Sequence, residues 1–273
     1  GGAAAALGPA LPARAFLDLP GPLKNRYFLV CHGESALEAA PQGDGSRGRL
    51  LSNPGFKYDY GLSLTPRGKA QMAGVAELLE AELGFTDGWI YTSNFQRAFQ
   101  SALVLREGLG LPFARLRTEF SGLLDPRKVG ALDGGPAAAL EGVHAADARD
   151  PFSAPPPVES SLQPSASTES VYDVLRRALE ALTRLERTYS GEDVVLVSHA
   201  STLSVFTAAM MGTELGRHHR DWPYAHGQCV VYDQQLVGLG RPAPACVPRP
   251  PGAAARFRCG GLRPPQAAAG AQE

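Results

Sequence analysis

Tyr27-Phe28-Leu29-Val30-Cys31-His32-Gly33-Glu34-Ser35 is the stretch on which the reading of this chain turns. An apolar run, Tyr27 to Val30, stops at a polar cluster built around a histidine and a glycine. In an α/β protein, catalytic groups collect at the carboxyl ends of strands, because the strand is rigid and the loop after it is exposed. The pattern recurs at Val194-Val195-Leu196-Val197-Ser198-His199-Ala200-Ser201. Two strands that each end in histidine are expected to bring both imidazoles to one sheet edge.

Outward from these two segments, strand and helix signals alternate. Leu64 to Leu83 reads as a helix, with Thr65 as N-cap, Pro66 at the first helical position, and Val75, Leu78, Leu79 and Leu83 at helical spacing. Trp89 to Thr92 reads as a strand, Gln96 to Leu109 as a helix, and Arg115 to Arg117 as an edge strand. Ser167 to Thr188 carries an apolar stripe of Val171, Val174, Leu175, Ala178, Leu182 and Leu185, capped by Ser167 or Thr168. After the strand Val194 to Val197, a helix from Ser201 to Met211 and a last strand from Gln228 to Tyr232 complete the pattern. Such alternation predicts an α/β fold with a mostly parallel central sheet and helices on both faces.

Three segments stand apart from it. Residues 1–23, rich in Gly, Ala, Leu and Pro with Arg14 and no acid before Asp18, read as a flexible or targeting-like leader. Residues 24–237 then form the domain, and 238–273 read as a disordered tail of Pro, Gly and Ala. Residues 134–166 interrupt the domain with a Pro/Ala-rich insertion, from Gly134-Gly135-Pro136 through Pro155-Pro156-Pro157, which reads as a lid or disordered segment.

Composition narrows the classes of partner. A net charge of −1 over 273 residues offers no field for nucleic acid or an anionic membrane. No run approaches the roughly 18 apolar residues of a membrane-spanning helix. Cys31, Cys229, Cys246 and Cys259 show no C-x-x-C spacing, so they read as free thiols of a reducing, cytoplasmic compartment; an organelle reached through the leader is the alternative. His218, His219 and His226 make no helical ligand pair, and no acidic cluster accompanies His32 in sequence, so neither metal nor cofactor is expected.

The motifs together resemble the histidine phosphatase superfamily, the phosphoglycerate-mutase-like proteins. The first signature of that family reads Arg-His-Gly-Glu, and here Cys31 stands at the arginine. Ser93-Asn94-Phe95-Gln96-Arg97-Ala98-Phe99-Gln100-Ser101-Ala102 is similar to its Ser-Pro-x-x-Arg-Ala-x-Gln-Thr-Ala stretch. Gly61-Leu62-Ser63-Leu64-Thr65-Pro66-Arg67-Gly68 is similar to its Leu-Thr-x-x-Gly segment, and Thr168-Glu169-Ser170 with Arg176 to its Gly-Glu-Ser followed by arginine. The resemblance spans residues 24–233.

What it implies is phosphate-monoester hydrolysis through a phosphohistidine at His32, on a phosphorylated small molecule. By the resemblance His199 faces His32 across the phosphate, and Arg97 holds two phosphate oxygens at once with its fork. Ser35, Ser93 and Thr202 are hydroxyls near these landmarks, of which Ser35 and Thr202 are taken as phosphate-binding. The family's acid lies in a Leu-Arg-Glu-Arg-x-x-Gly context, which falls here on Leu124-Asp125-Pro126-Arg127-Lys128-Val129-Gly130. Pro126 takes the acid's place, leaving Asp125, or else Glu119, to protonate the leaving group. Arg127 and Lys128 stand near enough in sequence to supply positive charge. Cys31 and Pro126 also define a rival, a catalytically impaired pseudophosphatase that binds phosphorylated ligands or partners. A mutase-type phosphotransferase and a reactive thiol at Cys31 are further readings.

Overall fold

A computed structural model of the chain describes residues 22–41, 48–119, 121–157, 168–233, 244–248 and 257–261. The span read as a leader lies outside the described residues through residue 21, as do parts of 134–166 and 238–273. The strand that opens the domain, β1 (Arg26–Cys31), sits in the middle of the sheet. It pairs in parallel with β4 (Asp193–Ser198), which pairs in parallel with β2 (Trp89–Ser93), and that with the edge strand β3 (Leu116–Glu119). On its other side β1 runs antiparallel to β5 (Cys229–Tyr232). Two further antiparallel strands, β6 (Pro244–Pro248) and β7 (Phe257–Gly261), extend that side in the span that reads as a structureless tail. The four adjoining parallel strands carry the site, and the α/β reading holds.

Alternation along the strands divides the core in two. In β1, Phe28 and Val30 face α2 (Pro66–Ala81) and α3 (Gln96–Gly108), packing against Met72, Val75, Leu79, Ala98 and Leu105. Tyr27, Leu29 and Cys31 face the other way, toward α5 (Val171–Thr188) and α6 (Ala200–Met210), among Ala178, Leu182, Leu185, Leu203 and Phe206. β4 splits likewise, Val195 and Val197 to the first face and Val194 and Leu196 to the second. A strand that buries both faces needs an unbroken apolar run, which is why neither segment shows polar alternation.

Thr65 caps α2 as its sequence predicts, its Oγ1 accepting from Gly68 N at 2.9 Å. The cap of α5 falls elsewhere than at Ser167 or Thr168. Ser170 takes that place, its Oγ accepting from Asp173 N while Asp173 accepts from Ser170 N at 3.0 Å. This reciprocal arrangement satisfies two terminal amides, whereas Thr168 is held extended in a bridge to Val129.

The described residues of the insertion include the helix α4 (Leu140–Arg149), packed against the turn Leu215–Arg217. Asp147 on this helix is fully buried and takes both arms of Arg127, at 2.6 and 2.9 Å. A Pro/Ala-rich composition hid one charged residue that fixes the helix to the rim of the site.

Candidate active site

Both histidines arrive at one sheet edge as the strand ends imply. His32 follows β1, His199 follows β4, and their ring centroids are 5.0 Å apart. Gly33 permits the turn after β1, since a Cβ there would fall inside contact distance of the Gly68 carbonyl. The loop is held by Gly33 N donating to Ser101 Oγ at 3.0 Å and by Glu34 N donating to Gln71 Oε1 at 2.9 Å.

His32 Nδ1 lies 2.8 Å from Gly33 O. A carbonyl only accepts, so Nδ1 carries the hydrogen and Nε2 presents its lone pair. Arg97 Nε donates to that lone pair at 3.0 Å, which agrees with the assignment. Burial, reinforced by the charge of Arg97 and opposed by Glu38, lowers the His32 pKa to about 3. His199 is also held well below its ordinary value, by burial first and Arg97 second. Both rings are therefore neutral near pH 7. Neutral imidazole is the nucleophilic form.

Arg97, 3% exposed, comes from the first turn of α3 and lies over the Phe95 ring. Its Nη2 donates to Leu51 O at 2.7 Å, while Nη1 is buried without a partner. His199 Nδ1 is a second buried atom with no partner, and Arg49 Nε a third. All three residues line a cavity of about 300 Å³, together with Cys31, His32, Glu38, Arg127 and His226. The first residues of α6, Ala200 and Ser201, line it as well, so a helix N-terminus with its partial positive charge borders the cavity. The two guanidinium N–H donors without a partner, on Arg97 and Arg49, mark a place for an anion beside this open space.

The remaining sequence candidates lie around the cavity instead of in it. Asp125 is buried, with Lys57 Nζ at 2.8 Å from one oxygen and Ser93 Oγ donating to the other at 3.1 Å. Ser93 Oγ is in turn 3.2 Å from His199 Nε2. Because Ser93 donates to Asp125, His199 Nε2–H donates to Ser93, and the bare Nδ1 follows from this chain. Thr202 Oγ1 donates to Asp125 O at 2.6 Å and takes Arg177 Nη2 at 3.2 Å. Ser35 Oγ donates to Glu38 Oε2 at 2.7 Å, at the start of the one-turn helix α1 (Ala36–Ala39). Glu119 is occupied by the amides of Ser121 and Leu123. Neither Ser35, Thr202 nor Asp125 lines the cavity, because each side chain already satisfies a loop or helix end.

Three further expectations need correction. The arginine that pairs with Glu169 is Arg177, at 2.9 Å, while Arg176 is exposed one residue earlier on the helix. Arg127 lines the cavity, but its charge is already matched by Asp147. Cys31 is no reactive thiol: burial, helped by Glu38, pushes its pKa up to about 12.

The residue that sequence reasoning missed is Glu38. Its Oε1 lies 3.8 Å from His32 Nε2 and 3.6 Å from Arg97 Nε, and its Oε2 lies 3.4 Å from His226 Nε2. A single carboxylate thus accompanies His32 in space, which the sequence reading did not name. Burial alone would raise its pKa, but His32, His226 and Arg97 outweigh burial and hold it well below the carboxylate range. One signal was available. Ser35-x-x-Glu38 has capping-box spacing, which turns the glutamate back over its own N-cap, beside the His32 loop.

His32, Glu38 and His226 bring three possible ligand atoms within 4.8 Å of one another, the donor set for a transition metal. Arg97 Nε–H sits on the His32 lone pair, however, and a guanidinium there opposes a divalent cation. Among the described residues no helix is long and apolar enough to cross a membrane.

A parallel sheet edge that joins two neutral histidines, a buried arginine and a small anion cavity defines a narrow class of protein. The profile of the histidine phosphatase superfamily (branch 1) matches residues 27–236, and the chain belongs to that superfamily. Among solved structures, a mycobacterial glucosyl-3-phosphoglycerate phosphatase is similar at 21% identity and a TM-score of 0.55, over 76% of this chain and 88% of that one. A mutant phosphoserine phosphatase from Entamoeba histolytica, in complex with phosphoserine, is similar at 16% identity and 0.55, over 77% and 90%. YhfR of Bacillus stearothermophilus is similar at 21% and 0.52, over 77% and 91%. At these identities the likeness speaks for the fold. No protein with a curated description matches the chain.

Proposed function

We propose that the chain hydrolyses phosphate monoesters of small molecules through a phosphohistidine at His32. One observation carries this reading: a neutral imidazole, its Nδ1–H tied to Gly33 O, turns Nε2 toward a cavity shared with His199 and Arg97. Nε2 attacks phosphorus and the ester P–O bond breaks, the leaving oxygen taking its electron pair. Water then attacks the phosphohistidine, releasing inorganic phosphate and restoring the imidazole. Arg97 must move its Nε from His32 to a phosphate oxygen, and its unpartnered Nη1 supplies a second contact. A cavity of about 300 Å³ suits a small ester better than a folded phosphoprotein.

Asp125, read from sequence as the leaving-group acid, acts on this geometry as a positioning residue. It orients His199 through Ser93. Esters of acidic phenols, whose leaving groups depart unprotonated, are then the best substrates. Glu38 and Cys31 favour a second reading, a phosphate-binding member of the superfamily with little turnover, because each weakens the positive character of the cavity.

The test is incubation with an aryl phosphate and a panel of sugar phosphates, comparing the chain with His32→Ala. Release of phosphate that is lost in His32→Ala, with an acid-labile phosphoryl group on the native chain, is the expected result. Equal release by both proteins would sink the nucleophile assignment. Phosphate binding without release would select the second reading.

A further inference from the structure

Glu38 is the one carboxylate among the described residues lining the cavity, and it occupies the space that an anion should take. Its two oxygens meet the groups that a phosphate would meet. Oε1 faces Arg97 Nε and His32 Nε2 at 3.6 and 3.8 Å, and Oε2 faces His226 Nε2 at 3.4 Å. The side chain is fixed from behind, where Oε2 accepts from Ser35 N and Ser35 Oγ at 3.1 and 2.7 Å. The glutamate therefore does not merely rest against the arginine; its helix cap aims it there.

The charges of the cavity make the consequence definite. Of the arginines that line it, Arg127 is matched by Asp147, which leaves Arg97, facing Glu38, and Arg49 elsewhere on the wall. Two guanidiniums suit a phosphate dianion, and the carboxylate cancels one of them. We infer that Glu38 is a resident anion of this pocket, which competes with phosphate for Arg97 and makes the site discriminate against dianionic ligands. The inference rests on the phosphate-pocket reading above and adds to it a residue that sets charge selectivity.

A phosphorus atom seated for attack lies about 3–3.5 Å from Nε2, which places Glu38 on the order of 5 Å from it. Even at the dielectric of bulk water, a unit charge about 5 Å from a dianion shifts binding by more than tenfold. Glu38→Gln removes the charge and preserves the cap, because glutamine serves at the same capping-box position. Glu38→Asp keeps the charge but withdraws it by one methylene.

The experiment is calorimetric titration of the full chain with inorganic phosphate at pH 8, for the native protein, Glu38→Gln, Glu38→Asp and Arg97→Met. Thermal melts of each variant verify folding. The expected result is at least tenfold tighter binding by Glu38→Gln, a smaller gain by Glu38→Asp, and loss of binding by Arg97→Met. Equal or weaker binding by Glu38→Gln, with binding still lost in Arg97→Met, overturns the inference and leaves the pocket standing. Phosphate binding that Arg97→Met does not change overturns the pocket reading itself, and the inference with it.

Discussion

Replacing Asp147 with alanine tests whether the insertion helix is a structural part of the site. Asp147 and Arg127 are 0% and 2% exposed at their side chains and meet through two hydrogen bonds of 2.6 and 2.9 Å. Arg127 has one other partner, Glu169 O at 2.8 Å, so truncation strands most of a buried guanidinium. Removing one member of such a pair costs about 3–5 kcal/mol, because the remaining charge loses its partner without regaining water. Arg127 also lines the cavity, where water can relieve part of this, so the lower end is expected. For a domain of this size each kcal/mol shifts the melting temperature by about 2–4 °C. Asp147→Ala should therefore lower Tm by about 6–12 °C in a scanning calorimeter. The double variant Arg127→Met with Asp147→Leu should recover most of that loss, since it buries no unpaired charge. An Asp147→Ala melt within about 2 °C of the native protein would refute the reasoning, and would mean that Arg127 is solvated without α4.

Other outcomes follow from the same geometry. Cys31→Arg should raise kcat/KM for aryl phosphates at least tenfold by adding a cation where the thiol now borders the cavity; no gain in a folded variant would show that Arg49 already fills that role. Asp125→Asn should slow alkyl and aryl esters alike, since its carboxylate reaches His199 through Ser93; a loss confined to alkyl esters would restore it as the leaving-group acid. The depressed pKa values of His32, about 3, and His144, about 4, both led by burial, set a pH dependence. Between these values and about 6.5 the unfolded chain binds more protons than the folded one, so this stability is full above pH 6.5 and falls away on acidification. Tm should be lower at pH 5 than at pH 7.5, and a higher value at pH 5 would contradict the assignment.

The architecture was legible because burial writes itself into long apolar runs. Val194 to Val197 and Tyr27 to Val30 can only be strands covered on both faces, and the histidines after them must then share an edge. Arg97 was named through the resemblance of Ser93 to Ala102 to the family's motif, and not from its place on the helix. Glu38 was not legible, since a lone glutamate on one helical turn carries no periodic signal, and only the cap spacing with Ser35 hints at its direction. Ser35, Thr202 and Asp125 lie behind the cavity wall for a common reason, since each side chain already satisfies a loop or helix end. Proximity to a motif does not say whether a hydroxyl or carboxylate faces the cavity or closes the loop behind it. Asp147 was hidden by composition, because a Pro/Ala-rich insertion gives no hint that one of its charges is completely buried.

The close approach of Gly33 to Gly68 has a consequence for anyone who would redesign this protein. A Cβ on Gly33 would collide with the Gly68 carbonyl, and one on Gly68 with the Glu34 carbonyl. The loop that carries His32 therefore rests main chain against main chain on the first turn of α2, with no rotamer between them to absorb an error. That contact is the datum from which distances in the cavity are set. A library varied at Glu38, Arg49 or His226 can change what the cavity holds while His32 stays in register. A single alanine at either glycine would shift His32 itself, though neither glycine is among the residues lining the cavity.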